Sequence, residues 1–205
     1  MGENENKDDW VRTERHHRWA ALSKRGLLLW LLLATASLPL RAEEGRVHFN
    51  SLVSYVVDSR VYLSTDVSLQ LSGLARSALE SGVALEFDID IQVWRQLSFW
   101  PDETLRRYQI SHRLSYQELT RSYRLERLES GERASFSNLT DALHALASLR
   151  DLVLLPESEL KSGRKHYGSM TISLDIDALP SPLRTQAYFS RAWKLQGGEQ
   201  QWRIR

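Results

Sequence analysis

The 205-residue sequence contains no cysteine. This absence excludes disulfide bonds, thiolate zinc sites, cysteine nucleophiles and a lipoprotein anchor. An excess of one sign of charge is also missing, because 27 basic and 26 acidic residues leave a formal net charge of +1. Proteins that bind nucleic acid or an anionic membrane surface carry a strong basic footprint, so neither partner is expected.

Long apolar runs are scarce as well. Residues 26–40 form an apolar segment of about fifteen residues, whereas a membrane-spanning helix needs roughly 20. A basic cluster precedes this segment and the small residue Ala42 follows it, which is the order of a secretory signal. We predict that residues 1–42 are a signal peptide and that residues 43–205 form one exported, periplasmic domain. The alternative is an uncleaved inner-membrane anchor, with membrane contact only through residues 26–40.

The most regular pattern in the chain lies at residues 86–93, where charged and apolar residues alternate strictly. Such alternation is typical of a strand with one wet and one buried face. A second strand follows a Trp-Pro-Asp corner, and the two are predicted to form an antiparallel hairpin. A register symmetric about Trp100 places Glu86 opposite Arg113, so that acid faces base on the wet side. The same register places Asp90 and Gln92 near Gln109 and Arg107.

Shorter patterns predict the remaining elements. Further strands are expected over residues 47–55, 60–71, 120–129, 152–155 and 167–177, with a last one after the turn at Gly197-Gly198. On the strand over residues 120–129, Tyr123 and Leu125 are predicted to face inward. One short helix is predicted to begin at Ser72 and end at Gly82, a second to open at Ser137 or Asn138, and a third to lie near the C-terminus. The sequence therefore predicts a mainly β protein, an antiparallel β-sandwich of roughly eight strands with two or three short helices. An α+β open sheet is the alternative.

Several motifs taken together resemble a known family. They are the run from Leu114 to Leu125, the corner from Trp100 to Asp102, the segment from Leu179 to Leu183 and the triplet from Trp193 to Leu195. Over roughly residues 47–202 the chain is similar to the exported bacterial family known as domain of unknown function 4390. The resemblance implies an envelope protein of Gram-negative bacteria, often encoded near a membrane sensor kinase of the nitrogen-regulation type. That family has no assigned activity, so the resemblance implies no catalytic residue.

Glu86, Asp88 and Asp90 are the residues that would favour an enzyme. Carboxylates on one strand face can perform acid–base chemistry or bind a hard cation, as in a hydrolase or a metal-dependent enzyme. Exposed carboxylates on an alternating strand are more often solvated, and Arg107 and Arg113 are predicted neighbours. Asp175 and Asp177 show the same pattern and the same interpretation applies.

Other chemical motifs are incomplete. Ser158 and Lys161 match the Ser-x-x-Lys of penicillin-binding enzymes, but one lysine would have to serve two motifs, and Pro156 and Gly163 indicate a loop. The histidines at positions 48, 112, 144 and 166 lack metal-ligand spacing, and His112 is interpreted as a residue at the edge of the core. We therefore expect no cofactor and no metal, and assign no catalytic residue.

The predicted hairpin tip is the preferred functional surface. Phe99, Trp100, Pro101 and Asp102 place two large aromatic residues at a turn, where aromatic side chains can anchor a partner. Alternatively, the rings fold back and plug the end of the sandwich. The leading hypothesis is a non-enzymatic binding or interaction module of the cell envelope, with an unknown envelope protein as partner. A membrane sensor kinase is the candidate that the family resemblance implies.

Overall fold

A computed structural model describes residues 44–99 and 101–204, which form ten strands and three α-helices. The strands are β1 Gly45–Val57, β2 Arg60–Gln70, β3 Leu85–Arg95, β4 Glu103–Gln117, β5 Ser122–Arg127, β6 Arg133–Phe136, β7 Leu152–Pro156, β8 His166–Leu174, β9 Leu195–Gln196 and β10 Glu199–Ile204. The helices are α1 Gly73–Glu80, α2 Leu139–Ala147 and α3 Ser181–Phe189. Short 3₁₀ turns cover Glu157–Glu159 and Arg191–Trp193. The predicted signal or anchor, residues 1–42, lies outside the described residues.

The strands form two sheets that share one apolar core. The four-stranded sheet has the order β7-β2-β1-β9, and the six-stranded sheet has the order β10-β8-β3-β4-β5-β6. Buried side chains of both sheets and of all three helices belong to the same cluster. The prediction of a mainly β sandwich is thus confirmed. No helix among residues 44–99 and 101–204 has the length and apolar character needed to cross a membrane.

Strand β3 lies in the middle of the six-stranded sheet, and its alternating side chains define the two faces of the sheet. Leu85, Phe87, Ile89, Ile91 and Val93 are fully buried, while the alternate residues are partly exposed. The buried side is called the inner face, and the side that carries Glu86, Asp88 and Asp90 is called the outer face. Because side chains alternate across a strand, paired residues on β4, β5 and β8 are sorted onto the same two faces.

The predicted register of the central hairpin is confirmed. Glu86 pairs with Arg113, Asp90 with Gln109, and Gln92 with Arg107. On the following strand Tyr123 and Leu125 face inward, as the alternation predicted, and each is 7% exposed. The prediction that an acidic residue faces a basic one on the wet side of the hairpin is therefore confirmed for Glu86 and Arg113.

Helices α1 and α2 begin where the capping residues predict. The Ser72 hydroxyl accepts a hydrogen bond from the Ala75 amide at 3.0 Å, and the Asn138 side-chain oxygen accepts one from the Asp141 amide at 2.8 Å. Gly82, just beyond α1, has φ +90°, a left-handed conformation that favours glycine. Between Ser137 and Asn138, the structure selects Asn138 as the cap of α2.

Two differences from the predicted eight strands concern short elements. The structure adds β6, which pairs with β5, and the two-residue β9, which pairs parallel with the start of β1.

The strand predicted over residues 167–177 ends earlier, at Leu174. There the Asp175 carboxylate accepts hydrogen bonds from the amides of Asp177 and Ala178, at 2.8 and 3.4 Å, and turns the chain away from the sheet.

Candidate functional site

The tip between β3 and β4, residues 97–102, presents an exposed aromatic ring. The Asp102 carboxylate accepts a hydrogen bond from the Leu97 amide at 3.4 Å, which holds the two ends of the turn together. Phe99 is 95% exposed, and Pro101 and Asp102 are exposed as well. Phe99 therefore does not plug the end of the sandwich, whereas Trp100 lies outside the described residues. The partner-binding role of the tip stays a prediction.

Glu86 and Asp88 on the outer face already have partners. One Glu86 oxygen lies 2.9 Å from Arg113 Nε and 2.8 Å from its Nη2. Asp88 accepts a hydrogen bond from the Ser111 hydroxyl at 2.6 Å. Such cross-strand pairs contribute to the register of the two strands, and an exposed ion pair contributes only about 0 to 1 kcal/mol to stability.

The surroundings of Asp90, also on the outer face, shift the pKa of its carboxyl group. Partial burial and, to a lesser degree, the neighbouring Asp88 raise the pKa of Asp90, while Arg107 opposes the shift. A raised pKa is one property of a catalytic acid, but catalysis also requires other groups that converge on a substrate. Within the described part of the chain, no set of three or more histidine and carboxylate residues could bind a metal ion. Among the described residues, the structure adds none that supports the hypothesis of an enzyme at Glu86, Asp88 and Asp90.

The four histidines of the described residues fall into two groups. His48 and His144 are exposed, and His144 Nε2 lies 2.7 Å from the Asp66 carboxylate. His112 and His166 are each only 4% exposed, so His112 lies deeper than the predicted core edge. Burial and the adjacent Arg127 lower the pKa of His112 to about 4, which leaves its imidazole neutral at pH 7.

The segment with Ser158 and Lys161 is a surface turn, as predicted. A 3₁₀ turn covers Glu157–Glu159, and Lys161 is exposed. On this turn the Glu159 carboxylate forms an ion pair with Arg106 of β4. The Asp175 and Asp177 side chains likewise have structural partners, since Asp177 accepts a hydrogen bond from the Tyr188 hydroxyl.

Sequence reasoning missed Arg127, which lies beside His112 on the inner face. The two residues form a cross-strand pair of β4 and β5. The signal was present, because Tyr123 and Leu125 were predicted to face inward and the next alternate position is Arg127. The Arg127 side chain lies at the margin of the core, where 43% of it remains exposed.

Comparisons with known proteins identify the family of the chain. Neither the curated proteins nor the solved structures contain a match to this sequence. The sequence model described as "Domain of unknown function (DUF4390)" matches residues 45–203, which include every strand except the last residue of β10. The match confirms the resemblance stated over residues 47–202, and the chain belongs to the DUF4390 family.

Proposed function

We propose that this protein is a non-enzymatic binding module of the bacterial cell envelope and that it contacts a protein partner through the tip, residues 97–102. The observation that carries the proposal is the 95% exposure of Phe99 at a turn that Asp102 constrains. A large apolar ring in water gains free energy when a partner covers it.

The partner class follows from the family. Members of this family are expected in the envelope, near a membrane sensor kinase, and the kinase is therefore the first partner to test. The export of residues 43–205 to the periplasm, where the sensing part of such a kinase is accessible, is part of the same proposal.

The test is photocrosslinking in intact cells of a host that carries the full-length chain and the neighbouring kinase. A photoreactive amino acid replaces Phe99 in one variant and Phe189 in the control. Phe189 is a matched control because it is also a phenylalanine, 90% exposed, at the end of α3. We expect an adduct with the kinase from position 99 and none from position 189.

Two further results complete this test. Phe99→Ala should change the free energy of unfolding by no more than about 0.5 kcal/mol, as is usual for exposed positions. Trp100→Ala should be equally mild if Trp100 belongs to the binding surface, whereas a buried tryptophan would cost about 3 to 5 kcal/mol. Equal adducts from both positions, or no kinase adduct from position 99, would contradict the proposal.

A further inference from the structure

A small cleft lies where β4, β5 and β6 meet helix α2. Its volume is about 170 Å³, and its walls include His112, Leu125, Arg127, Phe136 and Ala145. A single water molecule needs only about 10 to 15 Å³ of such space, so the cleft has room for a small organic molecule of several heavy atoms. It is called the His112–Arg127 cleft below.

Two nitrogen atoms of this cleft have unused hydrogen-bonding capacity. Among the described residues, His112 Nδ1 and Arg127 Nε are buried without a hydrogen-bond partner. The His112 side chain belongs to a residue that is only 4% exposed. Buried polar groups in native proteins nearly always have a partner, because an unpaired one costs about 1 to 3 kcal/mol. The two residues lie directly opposite each other on neighbouring strands, so one ligand can lie beside both side chains. Both nitrogen atoms have almost no accessible surface, so a ligand reaches them only after the side chains move.

The charges of the cleft indicate an anion. Arg127 carries a permanent positive charge, and its only acidic partner in the cleft, Glu132, is distant, with 3.9 Å between Nη1 and Oε2 and 75% of the glutamate side chain exposed. His112 is neutral at pH 7 because burial and Arg127 lower its pKa, although Glu129 opposes the shift. A neutral imidazole can donate one hydrogen bond without adding a second charge. A second arginine, Arg133, also lines the cleft, but its guanidinium is paired with Glu126 at 2.7 Å. Arg127 is therefore the positive charge that remains for a ligand, and one such charge fits a monoanion better than a dianion.

The apolar walls restrict the anion further. Leu125 and Phe136 project into the cleft beside Ala145, so a ligand without an apolar part would leave these walls uncovered. The guanidinium group matches a carboxylate in shape, because it can donate two parallel hydrogen bonds. A larger concavity of about 730 Å³ lies near Glu80 and Tyr123, but there the tyrosine hydroxyl already donates to the glutamate at 3.2 Å.

We propose that the His112–Arg127 cleft binds a small carboxylate that carries a short apolar group, with the carboxylate at Arg127 and His112 and the apolar group against Leu125, Phe136 and Ala145. The site lies on the inner face of the sheet and is independent of the proposed contact at the tip. Two sources supply this chemistry, namely a free short-chain organic acid and the C-terminal carboxylate of a peptide with a small apolar last residue.

The first experiment titrates the full-length protein with sodium butyrate by calorimetry, and by NMR of the histidine ring signals. Separate arms use an N-acetylated tripeptide that ends in alanine, its C-terminal amide, and butyramide. We expect saturable binding of butyrate or of the peptide acid, but not of the amides. The His112 ring signals should shift, and its pKa should rise because a bound anion favours the imidazolium form. Which of the two acids binds more tightly identifies the source.

Variants locate the binding. Arg127→Gln should weaken binding at least tenfold, because a charge-assisted pair of hydrogen bonds is lost. Arg124→Gln is the matched control, since Arg124 lies on the same strand with its side chain exposed on the opposite face. If Arg127→Gln does not fold, the ring signals of His112 in the unmodified protein still decide. Saturation without a shift of His112, equal weakening by both variants, or the absence of saturable binding would overturn the proposal.

Discussion

Asp90 shows how one residue can oppose the stability of the sheet that it belongs to. Its neighbours Glu86 and Asp88 have an arginine and a serine as partners, whereas Asp90 faces Gln109 on β4 and Thr171 on β8. Neither of these two neighbours carries a charge, and Arg107 compensates the carboxylate only in part. Partial burial and the negative charge of Asp88 therefore raise the pKa of Asp90.

We expect Asp90→Asn to increase the free energy of unfolding at pH 7. Because the folded state raises the pKa of Asp90, the folded protein binds this proton more tightly than the unfolded chain, and stability falls as pH rises through the folded pKa. The substitution removes the ionised form and its cost. At pH 3 or below, where the carboxyl is protonated in both states, the variant and the unmodified protein should be nearly equal.

Denaturant unfolding across this pH range measures the effect, with Glu118→Gln in an exposed turn as control for the loss of one negative charge. Because Asp90 is only partly buried, we expect a change of about 0.5 kcal/mol or less, and the pH dependence is the critical observation. A decrease in stability at pH 7 would indicate that the Asp90 carboxylate has a favourable partner.

Strong local patterns made several elements predictable, and weak ones were missed. The alternation of β3 and the capping residues Ser72 and Asn138 depend only on neighbours in sequence, so they could be predicted. Strand β6 could not, because its four residues contain a single large apolar side chain, Phe136. The same is true of β9, whose two residues are too few to show any period.

In the turn between β1 and β2, two residues adopt a strained backbone conformation that a substitution can relieve. Val57 pairs with Arg60 across a two-residue loop, and both loop residues, Asp58 and Ser59, have positive φ, at 47° and 58°. Such a turn matches the twist of a hairpin. A left-handed conformation costs a non-glycine residue roughly 1 to 2 kcal/mol, and the cost is lowest for asparagine and aspartate.

We therefore expect Ser59→Gly to raise the free energy of unfolding by about 0.5 to 1 kcal/mol, after the added flexibility of the unfolded chain is subtracted. Ser54→Gly in the middle of β1 is the control, and it should lower stability by about the same amount. Thermal unfolding of both variants gives the comparison. If the two changes have the same sign, the turn is not strained as its dihedral angles indicate.

The association of the two sheets depends on contacts that no local sequence pattern reveals. Strand β8 pairs with β3 although dozens of residues separate them, and this order of strands results from the packing of the whole core. The candidate cleft illustrates the same limit. The inward position of Arg127 could be predicted from alternation, but the approach of Phe136 and Ala145 from β6 and α2 could not.

One side-chain hydrogen bond joins the two sheets at an irregular point. On β7, Leu155 pairs with Val61 and Val153 pairs with Tyr62, so Leu154 is an extra residue, a β-bulge, with its side chain fully buried. A bulge leaves a carbonyl without its regular ladder partner. The Tyr108 hydroxyl, on β4 of the other sheet, donates to the Leu154 carbonyl oxygen.

We expect Tyr108→Phe to lower the free energy of unfolding by about 1 to 2 kcal/mol, because the ring stays in place while a buried carbonyl loses its donor. Tyr116→Phe is the control, since Tyr116 lies on the same face of β4 and its hydroxyl has no hydrogen-bond partner among the described residues. The Tyr116 ring is tilted against that of Tyr123, with 5.1 Å between the ring centroids. Hydrogen exchange of the β7 amides locates the effect, because loss of the contact should speed exchange there before it affects β3. Equal exchange in both variants would mean that the sheets are held together at this point by apolar packing alone.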